Sequence, residues 1–140
     1  MSIPFQIIER TPTLAEYRAI CEAVGWGEVI NFEAAPDSLA RSLYSVVAMY
    51  EGQAVGMGRI IGDGAIFFYI QDIAVMPPYQ GQGIGTAIMD ALMRYIDASA
   101  PDKAFVGLFA AQRAIEFYKK YGFFIPPAED LTGMFCVVQR

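Results

Sequence analysis

The chain reads as an α+β domain with a mixed, mostly antiparallel central sheet flanked by helices. Three observations carry that reading. The stretch from Ser45 to Val75 is a run of apolar strand-like segments broken by tight turns, Glu51-Gly52 and Gly62-Asp63-Gly64, which is the pattern of an antiparallel meander. Helical patterns lie before and after it. Between the meander and the next helix stands Gln80-Gly81-Gln82-Gly83-Ile84-Gly85-Thr86, a glycine turn joining a strand to a helix.

Taken in order, Phe5 to Glu9 is a first strand. Thr13 and Glu16 have capping-box spacing and start a helix that runs through Val24. Gly25-Trp26-Gly27 breaks it. Pro36-Asp37-Ser38 leads into a short second helix, Ser38 to Leu43. Ser45 to Tyr50 and Gln53 to Ile61 are paired strands, and a long strand follows from about Ala65 to Val75. Pro77-Pro78 stops it, because proline has no N–H for the ladder. The apolar-periodic helix Ile84 to Ala98 comes next, then a strand from Ala104 to Phe109. A helix from Gln112 to Tyr121 ends at Gly122, a favoured residue just past a helix. Phe123 to Ile125 and Met134 to Val138 complete the order as a closing strand pair.

With 140 residues and no linker or repeat, the chain is expected to be a single domain, 1-140. Apolar residues make up 55% and charged residues 18%, enough to bury a core and too apolar for disorder. A net charge of −5 argues against nucleic acid, which needs clustered Lys and Arg. The absence of histidine removes the usual zinc sites, so no metal is expected. Cys21 and Cys136 lie far apart and read as buried thiols of a reducing cytoplasm. Met1 to Phe5 shows no signal-peptide pattern, so none is expected, and no apolar run is long enough to span a bilayer.

The glycine turn points to an anion. Helix N-termini present backbone N–H groups and about half a positive charge, and glycine lets a phosphate approach because no Cβ intervenes. A dinucleotide fingerprint would need GxGxxG in an early parallel βαβ unit with a later acidic residue. Here the spacing is GxGxG, the turn is late and the meander precedes it. A P-loop would need Gly-Lys-Ser/Thr, which does not follow.

The pattern Gln80-x-x-Gly83-x-Gly85 resembles the Q/R-x-x-G-x-G/A acyl-CoA motif of the GNAT superfamily of N-acetyltransferases. Asp72-Ile73-Ala74-Val75-x-Pro77 is similar to that family's fourth strand, and Ala114-Ile115-x-Phe117-Tyr118-x-Lys120-x-Gly122-Phe123 to its last helix and the strand after it. The element order matches the family along nearly the whole chain. The resemblance implies the acyl-CoA N-acyltransferase fold, acetyl-CoA as donor and a primary amine as acceptor. It implies pyrophosphate on the amides of Gln82 to Thr86, with Gln80 and Gly81 nearby. It implies a fourth strand that bulges and splays from the fifth, with the pantetheine arm against the backbone of Ile73, Ala74 and Val75, and the Val75 N–H polarising the thioester carbonyl. It places Ala111, Phe117 and Tyr118 beside the cofactor, Ala111 standing where an asparagine often precedes the last helix.

Tyr118 occupies the position of the family's helix tyrosine and is the candidate acid for the departing thiolate. Its spacing with Ala114, Phe117 and Tyr121 equally describes a core stripe. The family's fifth-strand glutamate falls at Val106 or Gly107, so the base is open. Asp72 is one candidate, or else a structural carboxylate. Glu33, between the first helices, is another on the acceptor side, or else a solvated charge. Trp26 can wall the acceptor or anchor the first helix. Arg59 can hold an acidic group of the acceptor or make a surface cross-strand ion pair. Lys119 and Lys120 can meet phosphates or complement the helix dipole. The expected activity is transfer of acetyl to a small amine by direct attack in a ternary complex. The alternatives are a protein N-terminal or lysine acetyltransferase, and a non-catalytic acyl-CoA sensor. Homodimerisation, a habit of the family, is expected as well.

Overall fold

The structure is a computed structural model that describes residues 3–126 and 133–140. It divides into two compact units, Met1–Leu108 and Phe109–Arg140.

In the first unit five strands form one sheet: β1 (Gln6–Glu9), β2 (Tyr44–Tyr50), β3 (Gln53–Gly62), β4 (Phe67–Val75) and β5 (Phe105–Gly107), in that spatial order. β1 to β4 pair antiparallel and β5 joins β4 in parallel. The sheet is therefore mixed and mostly antiparallel. Three helices accompany it: α1 (Leu14–Ala23), α2 (Ala35–Ala40) and α3 (Ile84–Ser99).

Alternation along β3 shows which helix covers which face. Met57 lies in a cluster with Tyr17, Ile20 and Cys21 of α1 and Ala35 and Leu39 of α2. Its neighbours Gly56 and Gly58 face α3, where an added Cβ would meet Ile88 and Ile84 or Ile88 and Leu92. Both faces are thus covered, which is why β3 is buried almost without interruption from Ala54 to Ile60. α3 buries Ile84, Ile88, Met89, Ala91, Leu92 and Ile96, a stripe at helical spacing. The two β3 glycines let that stripe descend onto the strand.

α1 starts at the expected capping box. The Thr13 hydroxyl accepts from the Glu16 N–H at 3.1 Å, and the Glu16 carboxylate accepts from the Thr13 N–H at 2.8 Å. Arg10 grips the same carboxylate with two nitrogens, at 2.7 and 2.9 Å. α2 begins three residues earlier than expected. Pro36 sits in its first turn, where a missing N–H costs nothing. Leu43 is outside the helix because its N–H bonds the Ile60 carbonyl at 2.8 Å. β5 is shorter than expected and pairs only with Phe67, Phe68 and Tyr69.

In the second unit the 3-10 turn Gln112–Ala114 leads into α4 (Ile115–Lys119). Gly122 takes φ +91 just beyond it. The expected strand pair of Phe123 to Ile125 with Met134 to Val138 does not form. Both stretches are irregular, and Phe124, Ile125, Met134, Phe135, Val137 and Val138 are exposed. An apolar run makes a strand only where a partner offers a ladder, and Pro126 and Pro127 follow the first stretch without a donor. Cys21 is buried as expected, but Cys136 is exposed with this segment. Among the described residues no helix is long and apolar enough to cross a membrane.

Two outcomes follow. A Cβ at Gly58 would stand 2.6 Å from Ile88 Cγ2, so Gly58→Ala is expected to cost about 1–3 kcal/mol by overpacking. A lower urea midpoint at unchanged slope checks it, and an unmoved midpoint refutes the close approach. Hydrogen bonds from Arg10 hold Glu16 down to about 2 from an ordinary 4.5. A depressed carboxylate stabilises the fold above its unfolded value and loses that contribution as pH falls. Stability is therefore expected to decline between about pH 4.5 and pH 2, and Glu16→Gln to flatten that part of the acid titration.

Candidate active site

The first unit contributes two features, a bulged strand and a glycine turn. Along β4, Ala74 pairs with Met57 and Gln71 pairs with Arg59, so Asp72 and Ile73 together face the single residue Gly58. Two residues against one is a β-bulge. Asp72 takes φ +59 at this point, a left-handed conformation that costs most L-residues about 1–2 kcal/mol and that Asp and Asn tolerate best.

The bulge changes which way the strand's hydrogen-bonding groups point. The Phe67 carbonyl accepts from the Asp63 N–H at 3.1 Å, on the β3 side. The Met76 N–H donates to the Val55 carbonyl at 2.8 Å, also on the β3 side. These two residues are an odd number apart, whereas an unbroken strand returns to the same side only after an even number. The extra residue at Asp72–Ile73 makes the switch. Beyond it, Ala74 faces β3, while the N–H and C=O of Ile73 and Val75 point to the β5 side. The last β4–β5 pair is Tyr69 with Gly107, upstream of the bulge. Of the three residues expected to meet a cofactor arm through their backbone, Ile73 and Val75 have the orientation for it and Ala74 does not.

The glycine turn follows one 3-10 turn, Pro77–Tyr79. Gly81 (φ +78) and Gly83 (φ +86) are left-handed, and Gly83 caps α3 without any side-chain hydrogen bond. A Cβ at Gly81, Gly83 or Gly85 would meet nothing within 4 Å. Gly81 and Gly83 are exposed, whereas Ile84 is buried and anchors the helix start. Glycines in this conformation at an uncapped helix N-terminus fit a phosphate group. Gln80 does something the motif alone does not reveal: its side-chain amide donates to the Val75 carbonyl at 2.9 Å. The turn is thereby tied to the end of β4.

Asp72 and Arg59 turn out to be partners. Arg59 Nε lies 2.9 Å from Asp72 Oδ2, with the side chains 4% and 2% exposed. The remaining guanidinium nitrogens donate to the Ser38 carbonyl, the Ser42 hydroxyl and the Ser38 hydroxyl at 2.9–3.2 Å. The Tyr17 hydroxyl donates to Asp72 Oδ2 at 3.0 Å, and Gln71 Nε2 donates to Oδ1 at 3.3 Å. Burial, then the Asp72 charge, pushes the Tyr17 phenol well above its ordinary range, so it stays a donor. Arg59 is thus neither at the surface nor held ready for an acidic ligand. It is a buried cation whose every nitrogen is engaged within the fold. Asp72 has the structural form of its two alternatives. Tyr17, Ser38 and Ser42 were not among the candidates. Their one signal in the sequence was an Arg and an Asp placed on otherwise apolar strand faces.

The other acceptor-side candidates go separate ways. Trp26 is half-buried against the α1–α2 cluster, together with Phe32, Met49 and Tyr79, and its backbone N–H donates to the Cys21 carbonyl at 2.8 Å. Glu33 is exposed, in a turn whose N–H groups bond Asn31 Oδ1.

In the second unit Ala111 caps the 3-10 turn in extended conformation, its carbonyl accepting from Ala114 N–H at 2.8 Å. Tyr118 meets Phe117 edge-on at 5.2 Å and Phe123 at 6.3 Å, and Phe117 also meets Tyr121 at 5.6 Å. The stripe is therefore aromatic packing within this unit. Burial raises the Tyr118 phenol from its ordinary value. Lys119 pairs with Glu116 at 3.1 Å, at an exposed position.

Removing one member of a buried ion pair strands its partner, at a cost of about 3–5 kcal/mol. Arg59→Met is expected to lower stability by that amount in urea unfolding, and a loss under about 1 kcal/mol would mean that the pair does not hold these elements together.

Comparison with known proteins supplies the family. The acetyltransferase (GNAT) domain family matches residues 41–124. A crystal structure from methicillin-resistant Staphylococcus aureus, of a protein of unknown function and probable acetyltransferase, is 35% identical. It superposes with a TM-score of 0.88 over 96% of this chain and 100% of that one. A GNAT-family acetyltransferase from Streptococcus pneumoniae is 28% identical with a TM-score of 0.81, over 98% of this chain and all of the other. Among curated sequences, a histone acetyltransferase from Glycine max is 32% identical over 130 residues, 86% of this chain and 55% of that protein. The chain spans about half the length of the first curated relatives it matches. On the family match and the structural likeness together, the chain belongs to the GNAT acetyltransferase family.

Proposed function

We propose that the chain is an acetyl-CoA-dependent N-acetyltransferase that acts on the primary amine of a small molecule by direct attack in a ternary complex. The observation that carries this reading is the bulged end of β4, which turns the Val75 N–H away from β3 beside a glycine turn that caps α3. Acetyl-CoA supplies an activated acyl group as a thioester. The amides from Gly81 to Thr86 would hold its diphosphate, and Ile73 and Val75 its pantetheine arm, bonded like an added strand.

Each residue then has one task. Val75 N–H donates to the carbonyl oxygen on which negative charge develops. Tyr118, the family's helix tyrosine by resemblance, gives its proton to the departing thiolate and regains one from the proton the amine nitrogen sheds as the amide forms; its raised phenol keeps it protonated at neutral pH beforehand. Asp72, engaged by Arg59 and Tyr17, is not the base. The amine reaches its neutral form by losing a proton to solvent before attack. The half-buried Trp26, Phe32, Met49 and Tyr79 offer an apolar surface for the body of the acceptor. Because one relative is named a histone acetyltransferase, lysine peptides belong in the acceptor panel beside small amines.

Thiol release from acetyl-CoA with that panel is the test. Saturable binding of CoA without release from any amine would instead support a sensor. With a confirmed acceptor, Tyr118→Phe is expected to lower kcat about ten- to a thousand-fold while acetyl-CoA affinity stays within about twofold. Unchanged turnover would remove Tyr118 from the mechanism. Gly83→Glu adds a side chain at φ +86 and a negative charge, and is expected to abolish CoA binding in calorimetry. Near-normal titration would refute the phosphate assignment.

A further inference from the structure

We infer that Asp72, Arg59 and Tyr17 are positioning residues: their buried network holds the β4 bulge and so decides that the Val75 N–H, and not the Ala74 N–H, points to the β5 side. The inference rests on the acetyl-transfer reading only for its effect on turnover. Its structural part stands on the register alone.

Without the extra residue at Asp72–Ile73, strand alternation would turn Val75 into the β3 ladder and Ala74 outward. The bulge is centred on a left-handed residue, φ +59, and such a conformation persists where its surroundings over-determine it. Here the surroundings are side-chain bonds to a single carboxylate. Arg59 comes from the strand opposite, at 2.9 Å, and Tyr17 from α1, at 3.0 Å. Arg59 is fixed in turn by Ser38 of α2 and by Ser42 just after it. Glycine is the usual occupant of a left-handed bulge position, and glycine would leave the bulge free to slip. Aspartate adopts the same backbone and adds a carboxylate that pins it from β3, α1 and the segment at α2. The Gln80–Val75 bond at 2.9 Å fixes the peptide next to the one concerned.

The experiment is amide hydrogen exchange of the free protein and of its complex with acetyl-CoA, read at Val75 and Ala74, alongside kcat and KM. In the unaltered protein, Val75 is expected to exchange faster than Ala74 and to gain protection with acetyl-CoA. In Asp72→Ala the order reverses in the free protein. The kcat per CoA-binding site then falls about a hundredfold, the size of losing one oxyanion donor, while KM for acetyl-CoA changes less than about threefold. Tyr17→Phe keeps the ring and removes only the hydroxyl bond, so it gives a result even where Asp72→Ala does not fold. It is expected to slow Val75 exchange at least about twofold and to lower kcat at least about threefold. If Val75 and Ala74 exchange in Tyr17→Phe as in the unaltered protein, and kcat per site is unchanged, the inference is overturned. A purely structural role would lower the melting point and the number of CoA sites but leave kcat per site alone, which also overturns it. If instead Val75 in the unaltered protein gains no protection from acetyl-CoA, the acetyl-transfer reading fails, and the free-protein exchange order still decides the role of the network.

Discussion

A strand can offer a backbone N–H to a ligand only if its own ladder does not consume that group. β4 meets this condition by placing Asp72 and Ile73 opposite the single residue Gly58. The one-residue slip exchanges the two sides of the strand, and everything proposed for the site follows from it. The carboxylate at the slip is buried, so it needs a cation and hydrogen-bond donors within the fold. Arg59 and Tyr17 meet that need, and through Ser38 and Ser42 the same cation secures the second half of α2 and the segment just after it.

The opposite face of the sheet is built by a different rule. Gly56 and Gly58 remove the side chains that would hold α3 away, and Ile84, Ile88 and Leu92 descend into that space. The close contact places the N-terminus of α3, with its left-handed glycines, just past the end of β4. Gln80 joins the two by bonding the Val75 carbonyl. Gly58 thus serves both faces: it admits α3 on one side and stands opposite the bulge within the sheet. A dipole end and a freed strand edge are brought together by packing constraints that have no direct part in any reaction.

Much of this was legible in the residues. The turns at Glu51-Gly52 and Gly62-Asp63-Gly64 marked the meander because only certain backbones reverse so tightly, and Thr13 with Glu16 marked a helix start by chemistry that needs no tertiary context. The glycine turn was legible for the same reason. The bulge was not legible from the residues themselves, because buried and partly buried residues of β4 alternate straight through it, and a register slip leaves no mark in such a pattern. The resemblance to the family was what implied it. The fate of Arg59 was hidden as well: arginine is ordinarily a surface residue, and only the pairing of β3 with β4 reveals Asp72 as its neighbour. At Met134 to Val138 the apolar run was strand-like, but among the described residues no ladder stands beside it, since strand formation belongs to a pair and not to a segment.

The most direct measurement is a crystal structure of the protein with coenzyme A. The account predicts diphosphate oxygens within hydrogen-bonding distance of the backbone nitrogens between Gly81 and Thr86, and the pantetheine arm bonded to Ile73 and Val75 on the β5 side of β4. Coenzyme A bound elsewhere, or a β4 whose Val75 N–H lies in the ladder with β3, would contradict it.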